Sequence, residues 1–364
     1  MNTPATIIIA ILVFGFLILI HELGHYLTAR LFKVRIDEFS IGMGPRLLWF
    51  TSKKTGIKYS LAMLPLGGFV SMPGENGEDE EYKDDPNTFG KKPAWQRFLV
   101  TAAGAFVNLL FGFIFMIVLT SVSSFGYTTI SEFKTEEYMQ SQYAEIGELS
   151  YSSSQSAGLM LGDEIISIEG KRVRIADELS YEIMRKGNNP VDIVVRRGGE
   201  LITLKDITLS RLDQMGQTVG VMDFRVAAEL SKNPFNVLSY SVAKSVLIVR
   251  MSAESVIDLI TGRFTFAAIS GPVGISSTLG NAAASGFRTL LNTVLLISIS
   301  LGFMNLLPIP ALDGGRLVTI FIEMVTKKKL PSKVEGIING VGLAVLLGLS
   351  FIVMIKDVIQ LIIK

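Results

Sequence analysis

Four stretches of the chain are apolar over the roughly 20 residues that a helix needs to cross a bilayer. They cover residues 5–27, 97–122, 287–306 and 336–355. The first carries no charge from Thr6 to Ile20. Between the second and third stretches the pattern changes. Residues 127–210 predict a small mixed α/β module: Ile165-Ile166-Ser167-Ile168 before Glu169-Gly170 reads as strand and turn, and Val191 to Leu204, broken at Gly198-Gly199, as a hairpin. Residues 236–260 are apolar but place Arg250, Glu254 and Asp258 on one helical face, which predicts an amphipathic helix on the membrane surface. Near the first stretch, Tyr59, Leu61 and Met63 alternate with Ser60, Ala62 and Leu64 before Pro65-Leu66-Gly67-Gly68, a strand followed by a turn. The acids Glu75, Glu78, Asp79, Glu80, Glu81, Asp84 and Asp85 then read as a solvated surface loop.

Composition supports the membrane reading. Hydrophobic residues make up 49%, charged residues 18% and mean hydropathy is +0.45, against about 25% charge in a soluble domain. The net charge of +1 gives no reason to expect a nucleic-acid partner. The amino terminus lacks a basic n-region and a small-residue cleavage site, so the first stretch is expected to remain as an uncleaved span. Basic residues cluster after the first span (Arg30, Lys33, Arg35, Arg46, Lys53, Lys54, Lys58), before the second (Lys91, Lys92, Arg97) and between the last two (Lys327, Lys328, Lys329, Lys333). If spans alternate, all three clusters share one side. The excess of Lys and Arg makes that side the cytoplasm and puts both termini and residues 124–285 outside.

The chemistry lies at the end of the first span. The chain holds only two histidines, four apart, in His21-Glu22-Leu23-Gly24-His25. Positions i and i+4 share a helical face, so both rings can hold one metal ion with Glu22 beside them as base. Ionisable groups inside a span are costly unless they function. Cysteine is absent, which removes disulfides and thiolate ligands and leaves carboxylates as candidates for a third ligand. Asp313 stands out, after the third span in Asn305-Leu306-Leu307-Pro308-Ile309-Pro310-Ala311-Leu312-Asp313-Gly314-Gly315, and at the same depth as the histidines. An Asp before Gly-Gly is also a common turn residue, and Glu323, Asp258 and Asp357 remain rivals. Asn305 either packs against a neighbouring helix or binds substrate backbone or oxyanion. Asn108, in the second span, reads as helix-packing glue.

Together these residues resemble the site-2 protease family of intramembrane zinc metalloproteases, closest to the bacterial regulator-of-sigma-factor type with a PDZ module. His21-Glu22-Leu23-Gly24-His25 matches the first helix, Pro65 to Glu75 the glycine-rich loop, Gly271-Pro272-Val273-Gly274-Ile275 the segment before the third span, and Asn305 through Asp313-Gly314 the second ligand motif. Ser156 to Gly170 resembles a PDZ domain. The resemblance implies a polytopic α-helical membrane protein with four transmembrane helices and an inserted extracytoplasmic PDZ domain. Its parts would be residues 1–126 (two spans and a cytoplasmic-side β-rich loop), 127–210 (PDZ), 211–286 (linker and surface helix) and 287–364 (two spans with the Asp-Gly motif). It implies Zn2+ on His21, His25 and Asp313, Glu22 as base, and substrate contacts from Asn305, Tyr59, Leu61, Gly67 and Gly68, with 58–63 as an edge strand that takes up substrate by β-addition. Implied partners are membrane lipid, transmembrane substrates such as anti-sigma factors and signal-peptide remnants, and a PDZ ligand peptide or substrate ectodomain. Two other classes compete: a non-catalytic PDZ-bearing receptor or scaffold, and a metal transporter.

Overall fold

The computed structural model describes residues 3–75, 82, 84–214, 217–230, 233–263 and 270–363. Glu78, Asp79, Glu80 and Glu81 of the acidic stretch lie outside the described residues. In chain order the elements are α1 (Thr3–Leu31), β1 (Glu38–Thr51), β2 (Lys58–Ser71), α2 (Ala94–Ser121), β3 (Phe125–Phe133), α3 (Glu136–Tyr143), β4 (Glu148–Ser150), β5 (Glu164–Ile168), β6 (Lys171–Arg172), α4 (Ala176–Lys186), β7 (Val191–Arg197), β8 (Glu200–Ile207), β9 (Ser210–Gln214), β10 (Gln217–Val221), β11 (Phe224–Glu229), α5 (Pro234–Thr261), α6 (Pro272–Ala284), α7 (Phe287–Leu306), α8 (Asp313–Thr326) and α9 (Ser332–Ile363). They form two units, Met1–Phe115 with Ile269–Lys364, and Met116–Ala268.

Among the described residues, four helical stretches are long and apolar enough to cross a bilayer: Ala5–Leu31, Ala94–Ser121, Phe287–Leu306 and Lys333–Ile359. This is a membrane protein. In the first unit, glycines let helix backbones meet, as is common between helices in lipid. A Cβ on Gly24 of α1 would stand 2.4 Å from the Ala103 carbonyl of α2, and one on Gly302 of α7 would stand 2.7 Å from the Ala105 carbonyl. The segment before the third span is helical: α6 packs on α1, where Gly280 faces Thr6. Its first turn is held from α9. Asp357 accepts from the Gly271 and Gly274 amides at 2.9 Å each, and a Cβ on either glycine would crowd that carboxylate.

β1 and β2 each fold back within themselves. Residues 58–61 pair in parallel with 38–41 on one side, and residues 58–62 pair antiparallel with 46–51 on the other, while 38–41 also pairs with 68–71. The order is therefore 46–51, 58–62, 38–41, 68–71. This corrects the expectation that 58–63 is an edge strand: both of its flanks are taken, and Tyr59 and Leu61 sit on an inner strand. Tyr59 is bonded to the Tyr26 hydroxyl at 2.7 Å and stacks on Phe50. The sheet closes over the ends of α1 and α2 through Ala29, Ile36, Phe39, Val70, Phe89 and Val100.

In the second unit the expected strand-and-turn at 164–172 and the hairpin of β7 and β8 both form. They lie in a sheet ordered β11-β3-β5-β7-β8, with β6 on β5, beside a small sheet ordered β10-β9-β4. The module thus extends past residue 210, because β11 pairs with β3. Ile165, Ile168, Leu179, Ile183, Ile193, Val195 and Phe224 form its core. The charged face of α5 is not turned to water as an interfacial helix would have it. It docks on α4: Arg185 meets Asp258 at 2.5 Å and Glu254 at 3.1 Å, and Arg250 pairs with Glu182. Burying that face against a complementary set of charges offsets the desolvation that an unpaired face would incur.

Candidate metal centre and active site

α1 carries His21, Glu22 and His25 near its carboxyl end, one helical turn separating the rings. Asp313 reaches them as the first residue of α8. The loop that delivers it is tight. Ala311 has φ 72°, and a Cβ on Gly314 would fall 1.9 Å from the Leu307 carbonyl. Only glycine there lets α8 start immediately under the end of α7.

Three donor atoms converge. Asp313 Oδ2 lies 3.1 Å from His21 Nε2 and 3.4 Å from His25 Nε2, and the two nitrogens are 3.2 Å apart. Two ligand atoms at about 2.05 Å from a tetrahedral ion are separated by roughly 3.3 Å, so the triangle has the edge length of three ligands around one zinc. Among the described residues, these three alone form a cluster able to hold a metal. Asp313 Oδ2 is buried and has no hydrogen-bond partner. A buried orphan oxygen aimed at two imidazole nitrogens is what a cation would satisfy. The donor set, two imidazoles and a carboxylate, suits zinc with a position left open.

The rivals for the third position are placed elsewhere. Glu323 is not the surface acid its neighbourhood suggests: it pairs with Arg97, and both side chains are largely buried. Asp258 is bound to Arg185 and Asp357 caps α6.

α2 supports the rings from behind. His25 Nδ1 bonds the Val100 carbonyl at 2.8 Å, and Asn108 Nδ2 stands 3.4 Å from His21 Nδ1. Between them Gly104 is pressed against both rings, where a Cβ would come within 2.3 Å of His25 Nε2.

A cavity of about 590 Å³ opens beside the triangle, lined by His21, Glu22, His25 and Asp313 together with Thr101, Phe69 to Pro73, Asp37, Glu75 and Arg316. Gly68 is pinned beside Glu22, where a Cβ would lie 3.0 Å from Glu22 Cγ. Gly67 holds φ +96°, a left-handed value that glycine adopts without strain. Asn305 sits half-buried in the last turn of α7 and is not among the lining residues. Glu75 is not a solvated loop acid. It lines the cavity and is paired, through its carboxylate and its carbonyl, with Arg316 of α8. Burial raises its carboxyl above the ordinary range, against the pull of the Arg316 charge. Arg316 carries no motif of its own in the sequence; its signal is its place three residues after Asp313, on the same helical face.

The family model of peptidase family M50 matches residues 9–349. A Clostridium acetobutylicum protein named as a candidate zinc metalloprotease is 33% identical, covering 97% of this chain and 97% of its own. The regulator of sigma-W protease RasP of Bacillus subtilis is 27% identical, covering 98% of this chain and 99% of its own. The zinc metalloprotease RasP of Geobacillus kaustophilus is 28% identical, covering 98% of each chain. The chain belongs to peptidase family M50, the site-2 protease family, and is an intramembrane zinc metalloprotease.

Proposed function

We propose that His21, His25 and Asp313 hold the zinc and that Glu22 is the proton carrier of peptide-bond hydrolysis inside the membrane. The observation that carries this reading is the convergence of three donor atoms 3.1–3.4 Å apart in one cavity with Glu22. Zinc, when bound, supplies a Lewis acid that lowers the pKa of water to about 7 and polarises a carbonyl. Glu22 takes the proton from the attacking water and returns it to the leaving amine. Asn305, eight residues before Asp313, is the candidate partner of the substrate backbone or oxyanion. The substrate is a transmembrane helix that unwinds before cleavage. The outer strand of the sheet, 68–71, borders the cavity. Strand addition therefore belongs there, with Gly67 and Gly68 setting its approach to Glu22, rather than at Tyr59 and Leu61.

Residues 127–210 of the second unit, with the strands that pair onto them, are proposed to be a PDZ domain. Support comes from its sheet order with α4 between β6 and β7 and from the loop 156–163, where Asp163 accepts from the Met160 amide and from Arg197. The basic clusters support a cytoplasmic face for residues 30–58, 91–97 and 327–333, with both termini and the PDZ domain outside. The Bacillus subtilis relative is named for sigma-W regulation; membrane-anchored anti-sigma factors and signal-peptide remnants are accordingly the proposed substrates here, with the PDZ domain binding a peptide or a substrate ectodomain. The scaffold reading is disfavoured because only three ligands converge among the described residues, whereas structural zinc sites are closed by four.

The test is Glu22→Gln. Zinc content should match the wild type while cleavage of a reporter transmembrane segment falls by about 10³-fold, within the range for a lost acid–base group. Retained proteolysis would reject Glu22 as the base.

A further inference from the structure

α2 meets the two histidines along one of its own faces. Val100, Gly104 and Asn108 are spaced i, i+4, i+8, matched to His21 and His25 at i, i+4 on α1. Each ring nitrogen that faces away from the donor triangle has a partner on that face: His25 Nδ1 the Val100 carbonyl at 2.8 Å, and His21 Nδ1 the Asn108 amide at 3.4 Å. The Val100 partner can only accept, so it fixes His25 with hydrogen on Nδ1 and a lone pair on Nε2. The Asn108 partner can do either, because an amide offers a donor on one side and an acceptor on the other.

The sequence pattern cast Asn108 as packing glue between spans. Its backbone does that work: the Ser298 hydroxyl of α7 donates to the Asn108 carbonyl at 2.9 Å. The side chain is spent otherwise. Asn108 is fully buried, its amide nitrogen faces His21, and its Oδ1 has no partner. With the nitrogen toward the ring, His21 keeps its lone pair on Nδ1 and its hydrogen on Nε2, the wrong way round for a ligand. A half-turn of the amide exchanges the two atoms within the same envelope. It then accepts from Nδ1–H and frees the Nε2 lone pair.

We propose that Asn108 is a positioning residue that selects the ligating tautomer of His21, presenting its side-chain oxygen to Nδ1–H when metal is bound. This rests on the reading of His21 as a ligand through Nε2. The two histidines are then held by unlike partners: His25 by a backbone carbonyl that no mutation removes, His21 by a side chain that one substitution deletes.

The experiment is zinc affinity by chelator competition on the full-length protein in detergent, with the His21 tautomer read by 15N NMR in zinc-free and zinc-loaded samples. Asn108→Leu keeps the branched four-atom skeleton and removes the acceptor, and should weaken zinc by about 10–100-fold, the usual cost of a lost partner behind a ligating histidine. Asn108→Asp supplies an acceptor that needs no half-turn, and should bind within about threefold of wild type. Ser298→Ala perturbs the same helix crossing without touching the amide, and should leave zinc affinity unchanged. Equal losses in Asn108→Leu and Ser298→Ala, or no rescue by Asn108→Asp, would make Asn108 a packing residue and overturn the proposal. So would a zinc-loaded His21 with hydrogen on Nδ1 in Asn108→Leu at wild-type affinity. His21→Ala separates the two levels: wild-type zinc binding there would sink the ligand assignment itself. Its loss, with Asn108→Leu binding normally, would sink only the tautomer selector.

Discussion

Each unit of this protein buries a cluster of ionisable groups spaced four apart on a long helix, and the two clusters end differently. In the second unit Arg250, Glu254 and Asp258 of α5 find opposite charges on α4 and beside it: Arg250 meets Glu182, Glu254 meets Arg185 and Lys171, and Asp258 meets Arg185. In the first unit His21 and His25 of α1 find Asp313, and its inner oxygen is left without a hydrogen-bond partner. Helical spacing is common to both. What separates a structural network from a metal centre is closure: the network on α5 is charge-complete without any added ion, while the triangle on α1 and α8 holds three donor atoms at ligand spacing around a buried carboxylate oxygen that a cation would satisfy.

The difference is broken or sharpened most sharply by removing one aspartate from each. Asp313→Ala should weaken zinc by at least about a hundredfold, more than the loss of a supporting partner alone, with the melting temperature in zinc-free buffer near wild type. Asp258→Ala should leave zinc affinity unchanged and leave Arg185 with Glu254 as its remaining carboxylate partner, lowering stability by about 2 kcal/mol, the scale of a lost hydrogen bond to a charged group. Chelator competition and thermal melts in detergent read both. If Asp258→Ala lost zinc, or Asp313→Ala only melted earlier, the distinction between the clusters would fail.

A middle case should fall between these extremes. Arg316 and Glu75 form a complete pair, as in the second unit, but at the rim of the catalytic cavity. Arg316→Ala is expected to lower cleavage about tenfold, a little over 1 kcal/mol for a half-buried pair, with zinc affinity within about twofold of wild type. Restoration by Arg316→Lys would mark the charge as sufficient; a lack of rescue would mark the two-point grip on the Glu75 carboxylate and carbonyl as the requirement.

How far the sequence revealed this depended on the range of each signal. The spans, the hairpin at Gly198-Gly199 and the pairing of His21 with His25 are local patterns of period and spacing, and were legible. Asp313 was legible as a candidate, but nothing in composition separated it from Glu323, because the Arg97 that neutralises Glu323 lies more than 200 residues away in the chain. The 58–62 strand was legible as a strand and not as an inner one, since register with 38–41 and 46–51 is set by how two segments fold back. The partner of the Asn108 side chain was hidden for the same reason: an amide inside a span is legible as a bond to a neighbouring helix, and the ring it faces is not. The charged face of α5 was seen and its partner was not, because Arg185 and Glu182 belong to a different helix.

The smallest expected effect concerns acid. Glu254 accepts from Arg250 at 2.8 Å and from the Tyr181 hydroxyl at 2.8 Å. Although burial opposes ionisation, Arg250, Tyr181 and Arg185 together hold its carboxyl down at about 2. Tyr181, pushed up to about 12 by burial and by the Glu254 charge, stays a neutral donor throughout. A carboxyl depressed in the folded state stabilises it fully above its ordinary value of 4.5, and that contribution drains away as pH falls from there toward about 2. Thermal melts of the full chain between pH 6 and 2.5 should therefore show a fall in stability concentrated below about pH 4.5. Glu254→Gln, which cannot ionise, should begin lower and decline less steeply over the same window. Parallel curves for the two proteins would mean that Glu254 does not draw its charge from this network, and the second unit would lose the closure that sets it apart from the metal centre.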